Sequence, residues 1–259
     1  TIDLCLSDFW WAKFRKKKGG IKVHTLYDVE TQIPAFFHIT EASVHDSKVM
    51  IEIPYEPSSY YIFDRGYNNF KMLYKIHQIE VYFVVRAKKN LGYKSIQWKR
   101  RLPKNVLSDA SVLLTGFYPK QYYPEPLRLV KYWDEEQERE FTFITNAMHI
   151  SALQVAELYK NRWQVELFFK WLKQHLKIKR FWRTTENAVR IQIYAAICAY
   201  CLVAIIQHDM QLNRSTYEVL QILSISLTDK THLRDLFDKT KFQNDKERFG
   251  PNGPSLFNF

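Results

Sequence analysis

The stretch that decides the fold of this chain is residues 60–67, which read YYIFDRGY. Its first four residues are apolar or aromatic and fit a short buried strand. Asp64 ends that strand, and Gly66 permits a tight turn directly after it. An aspartate in this position can simply cap a turn, so its carboxylate has both a structural and a chemical interpretation.

The segments on either side of this stretch predict an α/β core. Residues 68–77 fit a helix and residues 81–85 fit a further strand, and the order strand, helix, strand implies parallel pairing. Upstream, residues 21–27 and 33–39 predict a β-hairpin around a turn at 28–32. We therefore expect a mixed sheet flanked by helices.

The remainder of the chain predicts three further parts. Residues 90–148 contain short strands between prolines and predict a β-rich insertion, with a hairpin formed by residues 127–133 and 141–145. One long helix is predicted over residues 151–179 and a second over residues 187–207, before a helical tail whose last twenty residues are loose. The predicted parts are residues 1–89, 90–148, 149–207 and 208–259.

The composition excludes several protein classes and indicates a polyanionic partner. With 46% hydrophobic residues the 259-residue chain can build a sizeable core, and its seven glycines form neither a dinucleotide-binding motif nor a P-loop. Lysine and arginine number 38 against 27 acidic residues, which gives a net charge of +11. Residues 9–26, 81–108 and 159–183 together hold 22 of those 38 cations. The charge predicts a nucleic-acid surface, although a solvated face gives the same composition.

The cysteines and the longest apolar run predict a protein of a reducing compartment. Three cysteines give no disulfide framework, and we interpret Cys198 and Cys201 as buried core thiols. Both lie in the apolar run 193–206, whose 14 residues fall short of the ~20 that a membrane-spanning helix needs. No signal peptide is recognisable at the start. We expect a core helix, no membrane partner and a cytoplasmic location.

A second group of polar residues lies in the predicted long helix. Spaced by three, four and seven residues, four of them fall within an arc of about 60° on one helix face: Tyr159, Arg162, Glu166 and Lys173. Lys170 and Lys177 lie close to this stripe. Arg162 and Glu166 can form an ordinary helix ion pair. Together with Asp64, however, a glutamate among cations fits the carboxylate ligands of two Mg²⁺ ions in phosphoryl transfer.

These residues match a known signature. The pattern Y-x(2)-R-x(3)-E-x(6)-K, which begins at Tyr159, resembles the signature around the catalytic glutamate of DDE transposases of the insertion-sequence-four family. Residues 64–67 resemble the segment with that family's second catalytic aspartate, and residues 11–15 and 20–24 look like its N-terminal core. The similarity covers residues 1–204. It implies a ribonuclease-H-like mixed sheet flanked by helices, with a β-rich insertion between the second catalytic Asp and the Glu.

The resemblance also implies an activity and a set of site residues. It implies cut-and-paste transposition of double-stranded DNA, with transposon ends and target as partners, a homodimer in the synaptic complex, and a bacterial protein that is nucleoid-associated when bound to DNA. Asp64 and Glu166 would be catalytic metal ligands for two Mg²⁺ ions, for which Mn²⁺ can substitute. The expected DNA contacts are Tyr159, Arg162, Lys173, Lys170, Arg65 and Trp98.

Two other features have competing interpretations. Trp98 lies between Lys94 and the basic run 99–101, and an exposed tryptophan there could stack on an unpaired base, as in the insertions of some relatives. His45 and Asp46 could suggest acid–base chemistry, but we interpret them as the start of a helix.

The first catalytic aspartate implied by the resemblance is expected upstream of Thr1. In the family it sits a few residues ahead of the Thr-Ile pair that opens this chain, whereas Asp3 and Asp8 follow that point. We therefore expect the chain to be a fragment that lacks one of three metal ligands. Two alternatives stay open: a catalytically inactive DNA-binding remnant, and a related metal-dependent nuclease.

Overall fold

A computed structural model describes residues 2–5, 13–15, 18–175, 181–183, 185–226 and 230–239. Some predictions concern residues outside these ranges: Asp8, Lys177, residues 11–12 of the N-terminal core segment, and the loose end over the last twenty residues. Internal contacts divide the chain into two compact units, Thr1–Ile197 and Cys198–Phe259.

The N-terminal strands form an antiparallel sheet around one long strand. That strand is β3, and its three partners are β1, β2 and β4. The bounds are β1 Ile2–Cys5, β2 Lys13–Arg15, β3 Lys18–Tyr27 and β4 Pro34–Glu41. Val23 lies opposite Ile39 and both are buried, because directly opposite residues of paired strands face the same side of the sheet. The predicted hairpin is confirmed.

A second, mixed sheet contains the deciding stretch. Its strands are β5 Tyr60–Phe63, β6 Tyr82–Arg86, β7 Tyr93–Trp98, β8 Val106–Leu114, β9 Leu127–Asp134 and β10 Arg139–Thr145. Their order across the sheet is β5-β6-β10-β9-β8-β7. β5 and β6 are parallel and the other pairs are antiparallel. The predicted mixed sheet is confirmed.

Helices cover both faces of this sheet. α1 (Phe70–Gln78) packs Leu73 with Phe83 of β6, whereas α3 (Ala152–Lys160) packs Val155 with the next residue, Val84, on the opposite face. The three successive central residues of β6, Phe83, Val84 and Val85, are therefore all buried, which explains why they are all apolar. A short helix, α2 (Phe117–Tyr122), follows β8.

The β-rich segment 90–148 continues the same sheet. β10 pairs directly with β6, and Ile144 lies opposite Val85. The hairpin predicted over 127–133 and 141–145 is observed as β9 and β10. The boundaries of the four predicted parts stay predictions.

The prediction of a single long helix over residues 151–179 was wrong. Two helices are present, α3 and α4 (Trp163–His175). Between them, the backbone N–H of Arg162 donates to the carbonyl of Tyr159 at 3.1 Å, a tight i to i−3 bond in place of the α-helical one. Asn161, a weak helix former, lies at this junction. Tyr159 and Glu166 are thus on different helices, not on one continuous face.

The C-terminal helices are α5 Glu186–Asp209, α6 Thr216–Ile225 and α7 Leu233–Lys239. α5 has 24 residues and is apolar enough to span a membrane by length and composition, with 33% of its most apolar window buried; core helices of soluble proteins pass the same test. The length of the apolar run, 14 residues, therefore underestimated the length of this helix. Cys198 is exposed and Cys201 half-buried, so the prediction of two buried thiols was wrong for Cys198.

Candidate active site

The carboxylate of Asp64, directly after β5, is fixed by two donors. Its Oδ1 accepts a hydrogen bond from the backbone N–H of Arg65 at 2.7 Å and another from the hydroxyl of Tyr159 at 3.0 Å. The first bond caps the 3-10 turn Arg65–Tyr67, so Asp64 does cap a turn. Among the residues that the structure describes, none donates to Oδ2 of Asp64. One oxygen of the carboxylate is therefore open.

Tyr159 joins helix α3 to the end of β5. Its buried ring packs with centroids 4.7 Å from Phe143 and 5.7 Å from Phe141. Burial, and secondarily the negative charge of Asp64, raises the pKa of Tyr159 to about 12. The hydroxyl therefore stays protonated at neutral pH and can donate to Asp64. The hydroxyl that the sequence assigned to a DNA contact is thus directed at a carboxylate here.

Hydrogen bonds and nearby cations keep the half-buried Asp64 ionised. Burial alone acts to raise its pKa, but the two hydrogen bonds, together with the charges of Arg162 and Arg86, hold that pKa below its ordinary value. At neutral pH the open Oδ2 therefore belongs to a carboxylate anion. Such an oxygen is a hard ligand of the kind that Mg²⁺ prefers.

Sequence reasoning missed two residues beside Asp64. The Nδ2 of Asn68 donates to the backbone carbonyls of Arg65 and Arg86, both at 2.8 Å, and so ties the turn after β5 to the end of β6. Arg86 could have been found, because parallel neighbouring strands end at the same edge of a sheet. No local signal marks Asn68.

Glu166 lies in the first turn of α4 and has fewer partners than Asp64. Its Oε1 is 2.7 Å from Nη2 of Arg162, and its side chain is 56% exposed. Although burial acts to lower the pKa of Arg162, interactions with Tyr159, Glu166 and Asp64 raise it. Arg162 is thus the cation that acts on both carboxylates. The helix ion pair expected from the sequence is present, and Asp64 extends it.

The other predicted DNA contacts lie at two places. Lys170 and Lys173 are one and two turns beyond Glu166 on α4, and in the described part of the chain neither forms an ion pair. Trp98 is 62% exposed on β7, the edge strand opposite β5. Five strand spacings of about 4.8 Å separate these edges by roughly 24 Å. The structure therefore does not bring Trp98 to Asp64.

Two carboxylates of this site retain an open oxygen. Like Asp64, Glu166 has one oxygen in a known contact, and no described residue contacts its Oε2. No cluster of three or more His, Cys, Asp or Glu residues suited to a metal occurs within the described ranges. The two acids thus fit part of a carboxylate metal site.

The helix start at His45 is confirmed, but Asp46 has a further contact. The Nδ1 of His45 accepts the N–H of Ser47 at the start of the 3-10 helix Asp46–Ile51. Asp46 Oδ1 lies 3.2 Å from Nζ of Lys22, and a Cβ added at Gly66 would lie 3.4 Å from Asp46 Oδ2. The Lys22–Asp46 pair thus lies beside the turn that follows Asp64.

Comparisons with known proteins find relatives that are named as transposases. A protein of Sinorhizobium fredii that is named as a transposase, y4zB, is 36% identical over 233 residues, which are 87% of this chain and 64% of that protein. A Geobacillus stearothermophilus protein, named as a transposase for insertion sequence element IS5377, is 30% identical over 78% of this chain and 53% of its own length. A Synechocystis protein, named as a transposase for insertion sequence element IS4SA, is 26% identical over 81% of this chain and 60% of its own length.

The chain spans 53–64% of the lengths of these three relatives. A family model described as a transposase DDE domain matches residues 4–202. The match includes Asp64, Tyr159, Arg162 and Glu166, and the mixed sheet with helices on both faces agrees with the ribonuclease-H-like fold of such domains. The chain therefore belongs to the family of transposase DDE domains.

Proposed function

We propose that the protein containing this chain is a transposase that cleaves double-stranded DNA at the ends of an insertion sequence and joins them to a target. The proposal rests on one observation above all. An ionised carboxylate with one open oxygen, Asp64, ends a strand in a cationic environment, and the arginine beside it also pairs with Glu166. Phosphoryl transfer on DNA needs this combination of acids and cations.

The two acids are proposed as metal ligands through Oδ2 of Asp64 and Oε2 of Glu166. Domains of this family use divalent ions; two Mg²⁺ ions, or Mn²⁺ in their place, would activate a water or 3′-hydroxyl and neutralise charge on the phosphate. The chain's own contribution is positioning. The Arg65 N–H and the Tyr159 hydroxyl orient Asp64, and Arg162 keeps Glu166 beside it.

The remaining predicted residues are proposed as DNA contacts. Arg65, Lys170 and Lys173 would pair with backbone phosphates on either side of the acids, and Arg162 would contact a phosphate once metal ions hold Glu166. Trp98, on the far edge of the sheet, would stack on an unpaired base. In that case Trp98→Ala loses the processing of DNA hairpins and keeps DNA binding. Wild-type processing of DNA hairpins by this variant contradicts the assignment.

The cellular location and the oligomeric state follow from the same proposal. A transposase of this kind would act in the bacterial cytoplasm, associated with the nucleoid, and would bring two DNA ends together as a homodimer.

The test compares carboxylate variants of a chain extended upstream of Thr1, because the resemblance implies that the first catalytic aspartate precedes it. Glu166→Gln and Asp64→Asn should abolish cleavage and strand transfer while end binding stays within about twofold, since both changes remove a metal ligand but no DNA contact. Glu157→Gln is the matched control, because Glu157 is an exposed acid on α3 and should leave both activities unchanged.

The outcomes separate the proposal from its alternatives. Cleavage that survives Glu166→Gln refutes the assignment of Glu166. An extended wild-type chain that binds DNA without cleaving it in Mg²⁺ or Mn²⁺ is an inactive DNA-binding remnant. Cleavage without strand transfer identifies a metal-dependent nuclease.

A further inference from the structure

A strongly cationic cavity lies beside Asp64. Its volume is about 310 Å³, and its lining includes five basic residues and one acidic residue. The charged residues are Arg65, Arg86, Lys88, Lys89, Lys131 and Glu140. Five cations gathered around one opening repel one another, so the site favours an anion that compensates them.

The backbones of the two arginines of this cavity are joined through Asn68 before any ligand binds. Asn68 donates to the backbone carbonyls of both, and the guanidinium of Arg86 lies 4.8 Å from the centroid of the Phe141 ring. The Nε of Arg65 is buried and has no hydrogen-bond partner among the described residues. A buried donor without an acceptor is costly, and an anionic oxygen in the cavity would relieve that cost.

The three lysines differ in what they contact. Lys88 and Lys89 are exposed and form no ion pair with any described residue. Lys131 Nζ lies 3.7 Å from Oε1 of Glu140, and both side chains are partly exposed, at 37% and 45%. Glu140 is thus the one acid that offsets the charge of this lining.

We propose that this cavity binds a backbone phosphate of the DNA strand that enters the Asp64 site, and that Glu140 competes with this phosphate for Lys131. The inference rests on the proposed function, and it adds a binding site formed by Arg86, Lys88, Lys89 and Lys131. Arg65 follows Asp64 directly in the chain, so a strand in the cavity continues to that carboxylate. The planar guanidinium groups supply paired donors for phosphate oxygens.

The experiment measures binding of a fluorescent duplex to the extended chain without divalent metal, as a function of salt concentration. Lys131→Gln should weaken binding about eightfold at 0.1 M salt and lower the log–log salt slope by about 0.9, because one fewer counterion is released. Glu140→Gln should strengthen binding about twofold to fivefold, the equivalent of releasing a half-exposed ion pair. Lys89→Gln, at an exposed position where folding is not at risk, should repeat the effect of Lys131→Gln.

A matched ion pair outside the cavity serves as the control. Lys104 and Glu135 lie 3.1 Å apart at exposed positions, so Lys104→Gln and Glu135→Gln change the net charge by the same amounts. Both should stay within about twofold of wild type. Equal effects in the two pairs would show that only net charge matters and would overturn the proposal. A Lys131→Gln variant with an unchanged salt slope would overturn it as well.

A second arm distinguishes a DNA strand from free phosphate as the ligand. Sodium phosphate should displace the duplex from wild type no better than sodium chloride at matched ionic strength; displacement specific to phosphate would overturn the assignment to a strand. These readouts need no cleavage. The phosphate-binding proposal can therefore be refuted while the Glu166→Gln test supports the proposed function. If the Glu166→Gln test fails instead, the binding measurements can still be interpreted.

Discussion

The two acids of this site are held in different ways. Asp64 is half-buried, accepts two hydrogen bonds and follows β5, a strand at one edge of the six-stranded sheet. Glu166 is 56% exposed and contacts one arginine at the start of a helix. The position and charge of Asp64 are therefore fixed by folding. Those of Glu166 depend on Arg162 and on where α4 begins. The difference predicts that changes around Asp64 affect stability, while changes around Glu166 affect mainly catalysis and DNA binding.

The largest expected effect is the loss of the tyrosine that supports Asp64. Tyr159→Ala removes a buried aromatic ring that packs on Phe141 and Phe143, and should lower the free energy of unfolding by about 3–5 kcal/mol. Glu166→Ala, at an exposed position, should change it by less than about 0.5 kcal/mol. Urea denaturation measures both, and equal losses in the two variants would contradict the comparison.

Asn68→Ala should follow in size. It removes two hydrogen bonds to the carbonyls of Arg65 and Arg86, at a cost of about 1–3 kcal/mol, and should also weaken DNA binding because both arginines lose their support. Asn90→Ala, at an exposed asparagine in the turn that follows β6, is the control and should be neutral. An Asn68→Ala variant as stable as this control would show that the bridge does not order the turn.

Tyr159→Phe isolates the hydroxyl from the ring. It should cost about 1 kcal/mol at neutral pH and raise the pKa of Asp64 toward its ordinary value. A carboxyl whose pKa is depressed by folding stabilises above its unfolded pKa and loses that contribution as the pH falls through the folded one. The stability difference between wild type and variant should therefore be largest above about pH 4 and shrink below it. Carboxyl titration by NMR measures the pKa, and an unchanged value would contradict the role of the hydroxyl.

Arg162→Ala should lower stability less than the changes at Tyr159 and Asn68. The pair with Glu166 is partly exposed, so its loss should cost less than about 1 kcal/mol. DNA binding should nevertheless weaken, with a shallower salt dependence, since a phosphate contact releases counterions. An unchanged slope would leave Arg162 with only its ion pair.

Local patterns predicted the parts of the fold that depend on local physics. The apolar run at residues 60–63, the turn at Gly66 and the alternation in both hairpins depend on neighbouring residues alone, and each is present. The order of the six strands, in which β10 lies beside β6, could not be predicted from the sequence. The pairing of β10 with β6 joins residues about sixty positions apart, and no short-range pattern encodes it.

The errors in the candidate site have similar causes. A helical period does not reveal that the N–H of Arg162 bonds to the carbonyl of Tyr159 in place of an α-helical partner, and this change separates Tyr159 from Glu166. Asn68 bonds to a backbone carbonyl that only folding brings near it, and Lys131 lines a cavity that exists only after folding. The position of Asp64 at a strand end was predictable, because the apolar run before it and the glycine turn after it are both visible in the sequence.

The most direct test of the central claim replaces the open carboxylate by a thiolate. In the extended chain, Asp64→Cys should abolish cleavage of transposon-end DNA in Mg²⁺ and regain part of it in Mn²⁺, because a softer sulfur ligand tolerates Mn²⁺ better than Mg²⁺. Glu157→Cys, at an exposed position, should cleave equally well with either ion. Rescue by Mn²⁺ would establish that Asp64 binds the metal that cleavage requires, and full cleavage by Asp64→Cys in Mg²⁺ would contradict it.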